Sequence, residues 1–166
     1  MTSLSTVFQV LNEMKSAAVF EDYALGGAMA ALFYAEPLRT YDLDVFVLLP
    51  RQQGIILQLT PIYKWLEERG FHPDAEHVLI HGVPVQFLPV HNDLAEEAVQ
   101  KAQELDYEGV AVQVAGPDYL IALGLQAGGR KRRERSILLL ESGAVDEQRL
   151  KALLERHHLP TEILNQ

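Results

Sequence analysis

Apolar and polar residues alternate most clearly between Tyr41 and Leu49. There Leu43, Val45, Val47 and Leu49 are apolar, and Asp42 and Asp44 interrupt the other face near its start. A period of two predicts a half-buried strand. Upstream, Ser3 to Phe20 carries Leu4, Val7, Phe8, Leu11, Met14, Ala18 and Val19, a helical spacing. Tyr23 to Leu25 reads as a short strand ending at Gly26-Gly27, and Ala28 to Phe33 as a helix that stops before Pro37. Thr60-Pro61 is an N-cap followed by a first helical residue, which predicts a helix from there to Gly70. Glu76–Ile80 and Val83–Leu88 flank His81-Gly82, the pattern of a β-hairpin.

Asp93–Ala102 is an amphipathic helix, and Tyr107–Val114 is a strand or hairpin arm with Glu108-Gly109 at its bend. Three helices follow, Asp118–Ala127, Arg130–Glu141 and Asp146–His157, parted by Gly128-Gly129 and Gly143. Mixed strands and helices followed by helices alone predict an α+β fold: a mixed β-sheet flanked by helices over residues 1–115, with a C-terminal helical layer over 116–166 packed on it as one domain.

Composition narrows the chemistry. The chain has 166 residues and no cysteine, which excludes disulfides, thiolate zinc sites and thiol catalysis. No apolar run reaches the ~18 residues of a spanning helix, and Met1-Thr2-Ser3-Leu4 has no basic segment leading into an apolar core. A cytoplasmic protein with no membrane partner is the expectation. The net charge of −9 argues against broad nucleic-acid binding. Even so, Arg130, Lys131, Arg132, Arg133 and Arg135 form a basic island, which suits one small anionic ligand or simply a solvated helix face.

Asp42 and Asp44 stand two apart on the predicted strand, so their side chains share a face. Adjacent carboxylates repel unless a cation lies between them, and a hard divalent ion is the usual one. The alternative is a strand end open to water. Fourteen residues separate Asp42 from Gly27. Gly26-Gly27 lets backbone amides approach a ligand at the start of a helix, where unpaired N–H groups favour an anion. An ordinary strand-to-helix turn needs the same glycines. If His81-Gly82 is a two-residue turn, Ile80 pairs with Val83 and His77 shares a face with Gln86. That pair is either a positioner of water or a hydroxyl, or an ordinary cross-strand polar contact. Glu76 and Glu108 are further acidic candidates.

These motifs resemble the nucleotidyltransferase superfamily of the DNA polymerase β type. Its signature is an apolar residue followed by Gly and Gly or Ser, then a spacer, then Asp-apolar-Asp and further apolar positions. Leu25-Gly26-Gly27 and Asp42-Leu43-Asp44-Val45-Phe46-Val47 match it, with a slightly long spacer. Arg39-Thr40, together with the stretch from Tyr119 through Arg130-Lys131 and Glu134 to Leu153, is similar to a small bacterial branch related to AbiEii-type toxins.

The resemblance implies transfer of a nucleoside monophosphate from a nucleoside triphosphate to an unknown acceptor, whether protein, RNA or small molecule. Asp42 and Asp44 would be the catalytic pair holding one or two Mg2+ ions, with a weak second site. Gly26, Gly27, Arg39, Thr40, Arg130, Lys131 and Arg133 would bind the nucleotide. Members of the branch also pair with antitoxin-like proteins.

The chain departs from the pattern at three places. The third acidic position falls on Gln86, which brings no charge and cannot act as a base. Gly124 stands where many relatives have Lys, and Arg132 where they often have Asp. These departures raise an alternative, a weakened or inactive nucleotide-binding or protein-interaction module.

Overall fold

A computed structural model describes residues 3–35, 42–50 and 55–165. Helix α1 (Ser3–Ser16) buries Val7, Phe8, Leu11 and Met14 completely. Each fully buried side chain of this size is worth about 1.5–3 kcal/mol of hydrophobic stabilisation. Strand β1 (Asp22–Gly26) runs straight into the short helix α2 (Gly27–Ala31), and β2 (Leu43–Leu48) follows. Leu43, Val45 and Val47 are fully buried while Asp44, Phe46 and Leu48 are half-buried, as the alternation predicted.

Helix α3 spans Ile55–Glu67 with Pro61 inside it. The expected start at Thr60-Pro61 is thus corrected, because the helix begins before the proline. Proline lacks an N–H and removes one interior hydrogen bond, but the chain is helical on both sides of it. A two-residue strand β3 (Pro73–Asp74), which the pattern does not reveal, precedes β4 (His77–Ile80), β5 (Val83–Pro89) and α4 (Asp93–Gln100). Asn92 caps α4 by accepting from the Ala95 N–H at 2.9 Å. Strands β6 (Gln103–Tyr107) and β7 (Val110–Val114) lead into α5 (Pro117–Ala127), α6 (Arg130–Glu141), α7 (Glu147–Arg156) and a short 3-10 turn over Glu162–Asn165.

The strands form one seven-stranded mixed sheet in the order β3-β4-β5-β2-β1-β7-β6. β1 and β2 are antiparallel, with Gly26 opposite Asp44. β2 and β5 are parallel, with Asp44 opposite Gln86 and Phe46 opposite Leu88. The β4–β5 and β6–β7 hairpins turn on residue pairs with positive φ, His81 (+50°) with Gly82 (+81°) and Glu108 (+50°) with Gly109 (+84°). This is the geometry whose twist matches that of paired strands. The first turn sets Ile80 opposite Val83 and Val78 opposite Val85.

Tyr23 is buried on β1. Its hydroxyl donates to Asn12 Oδ1 at 2.8 Å and accepts from the Gln113 N–H at 3.2 Å, joining α1, β1 and β7. A second polar cluster joins the C-terminal helices to the rest. Glu97 of α4 accepts from the Tyr119 hydroxyl of α5 at 2.6 Å and pairs with Arg156 of α7, with His157 Nε2 at 3.6 Å. Burial by itself raises the Glu97 carboxyl, but the hydrogen bonds from Tyr119 and Arg156 and the nearby positive charge hold it below its ordinary value.

Candidate functional site

The β1–α2 junction and the start of β2 meet because β1 and β2 pair directly. Gly27 has a φ of +62°. A Cβ added there would overlap Asp44 Oδ2 and lie 3.2 Å from Asp44 Cγ. The missing side chain at 27 is therefore the space into which the Asp44 carboxylate fits. At Gly26 an added Cβ would meet the Phe46 ring, with Cδ2 at 2.8 Å, so the adjacent glycine accommodates the next residue on the same face of β2.

Asp42 stands just before β2 and is exposed, and its Oδ2 lies 3.2 Å from His77 Nε2. His77 Nδ1 lies 3.7 Å from Glu76 Oε1. Burial raises the Asp44 carboxyl above its ordinary value and the charge of Asp42 raises it further, while Arg135, His77 and Arg132 pull it back. Gln86 stands beside Asp44 in the parallel register. Among the described residues, no three His, Asp or Glu side chains gather as a ready metal cage.

A cavity of about 440 Å³ opens beside Asp44, within the range of small-molecule sites, and Asp42 is not among the residues that line it. Gly27, Asp44, Phe46 and Leu88 line its sheet side, and α5 and α6 contribute Leu120, Gly124, Arg132 and Arg135 among others. Arg135 is half-buried, and burial together with the neighbouring Arg132 charge lowers its guanidinium pKa, while Asp44 opposes that shift. Arg132 Nη1 donates to the Gly128 carbonyl at 3.2 Å. Among the described residues neither guanidinium has a carboxylate within ion-pair distance.

An added Cβ at Gly124 would lie 3.3 Å from Ser136 Oγ and 3.7 Å from Arg132 Cβ. The bare glycine thus lets α6 pack close enough to bring Arg132 to the cavity.

The structure brings Gly26, Gly27, Asp42, Asp44, His77 and Gln86 together at one end of β2. Arg130, Lys131 and Arg133 lie on the exposed face of α6 and do not line the cavity, and Arg130 pairs with Glu134 at 3.1 Å. Glu108 sits in the β6–β7 turn, two strands away from β2 in the sheet. Arg39 and Thr40 lie outside the described residues.

The residues that sequence reasoning passed over are Arg132 and Arg135 as cavity groups, with His91, Asn92 and Gln126 at its rim. A signal for the arginines did exist. Positions 132, 135, 136 and 139 fall on one helical face, and Ser136 and Leu139 are its buried members.

Solved structures share this fold over nearly the whole chain. ANT(2")-Ia in complex with adenylyl-2"-tobramycin matches with a TM-score of 0.59 at 15% identity, covering 92% of this chain and 95% of that chain. The solution structure of the antibiotic-resistance factor ANT(2'')-Ia gives a TM-score of 0.55 at 15% identity, covering 94% of this chain and 97% of the other. An antigenic nucleotidyltransferase-like protein from Paracoccidioides brasiliensis gives a TM-score of 0.55 at 15% identity, covering 93% and 86%. No protein-family model matches the chain, and no curated protein matches it in sequence. The fold is that of the nucleotidyltransferases.

Proposed function

We propose that this protein transfers a nucleoside monophosphate from a nucleoside triphosphate to an acceptor hydroxyl, in a magnesium-dependent reaction. The observation that carries the reading is the Asp44 carboxylate seated against the bare Cα of Gly27, at the wall of a cavity that also holds Arg132 and Arg135. The carboxylate pair suits a hard divalent ion. Burial, and after it the Asp42 charge, raises the Asp44 carboxyl above its ordinary value, and a cation beside it would offset both. Asp42 and Asp44 would hold magnesium, which when bound supplies charge stabilisation of the phosphoryl oxygens.

The chain's own groups do the remainder. Gly27, which lines the cavity, would set the backbone of the β1–α2 bend beside the triphosphate. Arg132 and Arg135 offset its charge from the helical side, a role the resemblance had given to Arg130, Lys131 and Arg133. The acceptor oxygen forms a bond to the α-phosphorus as the bond to the β-phosphate bridging oxygen breaks and pyrophosphate leaves. The hydroxyl proton passes to solvent, and His77, whose Nε2 donates to Asp42 Oδ2 at 3.2 Å, would hold that carboxylate in position. The adenylyl-2"-tobramycin bound to ANT(2")-Ia supports a small-molecule acceptor as one class to screen.

A second reading is a binding module without turnover, paired with an antitoxin-like partner as in the AbiEii-type branch. Gln86 favours it, since the amide beside Asp44 brings neither charge nor basicity. Both readings are of a cytoplasmic protein. Among the described residues no helix is long and apolar enough to cross a membrane.

Calorimetric titration with ATP, CTP, GTP and UTP, with magnesium and with chelator, tests the first reading. Magnesium-dependent binding supports it, and binding of none of them ends it. Pyrophosphate release with a cell-extract acceptor, abolished by Asp44→Asn, separates transfer from binding alone. A stoichiometric complex with the neighbouring gene product and no pyrophosphate release would favour the second reading.

A further inference from the structure

The Arg132 side chain lies along three glycines, Gly124, Gly128 and Gly129. At its root, a Cβ added at Gly124 would lie 3.7 Å from Arg132 Cβ and 3.7 Å from the Arg132 carbonyl oxygen. At its head, Nη1 donates to the Gly128 carbonyl at 3.2 Å, and a Cβ added at Gly129 would lie 3.7 Å from the same nitrogen. Gly128 and Gly129 have φ values of +78° and +99°, so the turn between α5 and α6 calls for glycine at both. Gly124 has no such reason. It sits inside α5 without a positive φ, where glycine is among the poorest helix formers.

What Gly124 provides is space where α5 and α6 meet. The atom nearest its added Cβ is Ser136 Oγ, at 3.3 Å, closer than an ordinary van der Waals contact. Ser136 is only 1% exposed, and its hydroxyl donates to the Arg132 carbonyl at 2.9 Å. The hydroxyl that meets Gly124 is thus tied to the backbone of Arg132, and displacing one displaces the other. Arg135 stands three residues further on, on the same face of α6. Extra volume in a filled contact forces the backbone to shift. The approach of α6 to α5 at Gly124 therefore sets where both guanidinium groups stand at the cavity wall.

We infer that Gly124 is a positioning residue: its missing side chain seats Ser136 and the root of Arg132, and so holds Arg132 and Arg135 where they meet the anionic part of a ligand. The inference rests on the proposed phosphate-binding role of these arginines and extends it to the helix contact behind them. Gly124 has no side chain with which to hold a ligand, so it acts through the arginines. It trades helix propensity for placement, and its replacement should move binding and stability in opposite directions.

Calorimetry with inorganic tripolyphosphate in magnesium, together with thermal unfolding, tests this in the full chain. The variants are Gly124→Ala, Gly124→Leu, Ser136→Ala, and Gly124→Ala combined with Ser136→Ala. Gly124→Leu is expected to lose about tenfold in tripolyphosphate affinity, the worth of one charge-assisted hydrogen bond. Gly124→Ala, whose methyl intrudes by only a few tenths of an ångström, should lose about threefold. Its Tm should be no lower than that of the wild type, because alanine is the better helix former. Ser136→Ala removes the oxygen nearest the new methyl, so the double variant should bind more tightly than Gly124→Ala. The Ser136→Ala single variant gives the reference that isolates this coupling.

Unchanged tripolyphosphate affinity in both Gly124 variants overturns the inference, because the glycine would then serve packing alone. A double variant that binds no better than Gly124→Ala overturns it too. So does weaker binding of Gly124→Ala with a lowered Tm, since lost folding would account for it. A wild type that binds magnesium and nucleotide but not tripolyphosphate overturns the positioning role and leaves the proposed function standing. A wild type that binds neither overturns both.

Discussion

Replacement of Gly27 by alanine separates the catalytic reading of the β1–α2 bend from a purely conformational one. Two costs arise at that position. The φ of +62° is a left-handed conformation that costs a non-glycine residue about 1–2 kcal/mol. In a domain of this size that lowers Tm by about 2–8 °C. The new methyl also overlaps Asp44 Oδ2 and lies 3.2 Å from Cγ, so the carboxylate must leave its place on the cavity wall. A displacement of about 1 Å in a positioned group can cost about a hundredfold in rate.

Gly82→Ala is the matched comparison. Its φ of +81° carries the same kind of backbone cost, and nothing lies within 4 Å of an added Cβ. Thermal unfolding, magnesium–nucleotide calorimetry and pyrophosphate release are measured on both variants. Both should melt several degrees lower, by the backbone cost above, but Gly27→Ala alone should lose metal-dependent nucleotide binding and turnover. Equal binding and turnover in the two variants would refute the reasoning, because Gly27 would then be only a turn residue.

Asp44→Asn should remove at least about a hundredfold of any pyrophosphate-releasing activity while leaving the folded state as stable as the wild type or more so at neutral pH. A carboxyl whose folded pKa is raised loses stability as pH rises through the interval between its unfolded and folded values, and the amide does not. Chemical denaturation at pH 7 checks this. Arg135→Met should weaken tripolyphosphate binding about tenfold, whereas Arg133→Met, on the exposed face, should leave it unchanged; calorimetry reads both.

Glu97 has the opposite sign to Asp44. Its lowered carboxyl contributes stability that is complete above the ordinary value of 4.5 and is lost as pH falls through its folded value. Tyr119→Phe should cost about 1–2 kcal/mol at pH 7 by removing a hydrogen bond to that charge, and much less once Glu97 is protonated. Denaturation curves across the acid range would show the two proteins converging.

Much of the molecule follows from short-range pattern. Alternation in Leu43–Leu49 placed β2 and the side on which Asp42 and Asp44 stand. His81-Gly82 and Glu108-Gly109 specified their own turns, because few residues accept two successive positive φ values. From the first turn the Ile80–Val83 register follows by counting. Pro61 misled because a local rule about proline was outweighed by a helix that continues through it.

The convergence of the site is different in kind. Sequence shows five basic residues on one helix. Only the packing of α6 on α5, made close by Gly124, decides that Arg132 and Arg135 face the cavity and that Arg130, Lys131 and Arg133 face water. Likewise Gln86 neighbours Asp44 through a parallel pairing across 42 residues of chain, and Gln126 is turned by an amide on another helix cap. Period and turn chemistry act over a few bonds, so they are written locally. Which side chains share a cavity depends on how elements distant along the chain dock, and no single segment of the sequence carries that information.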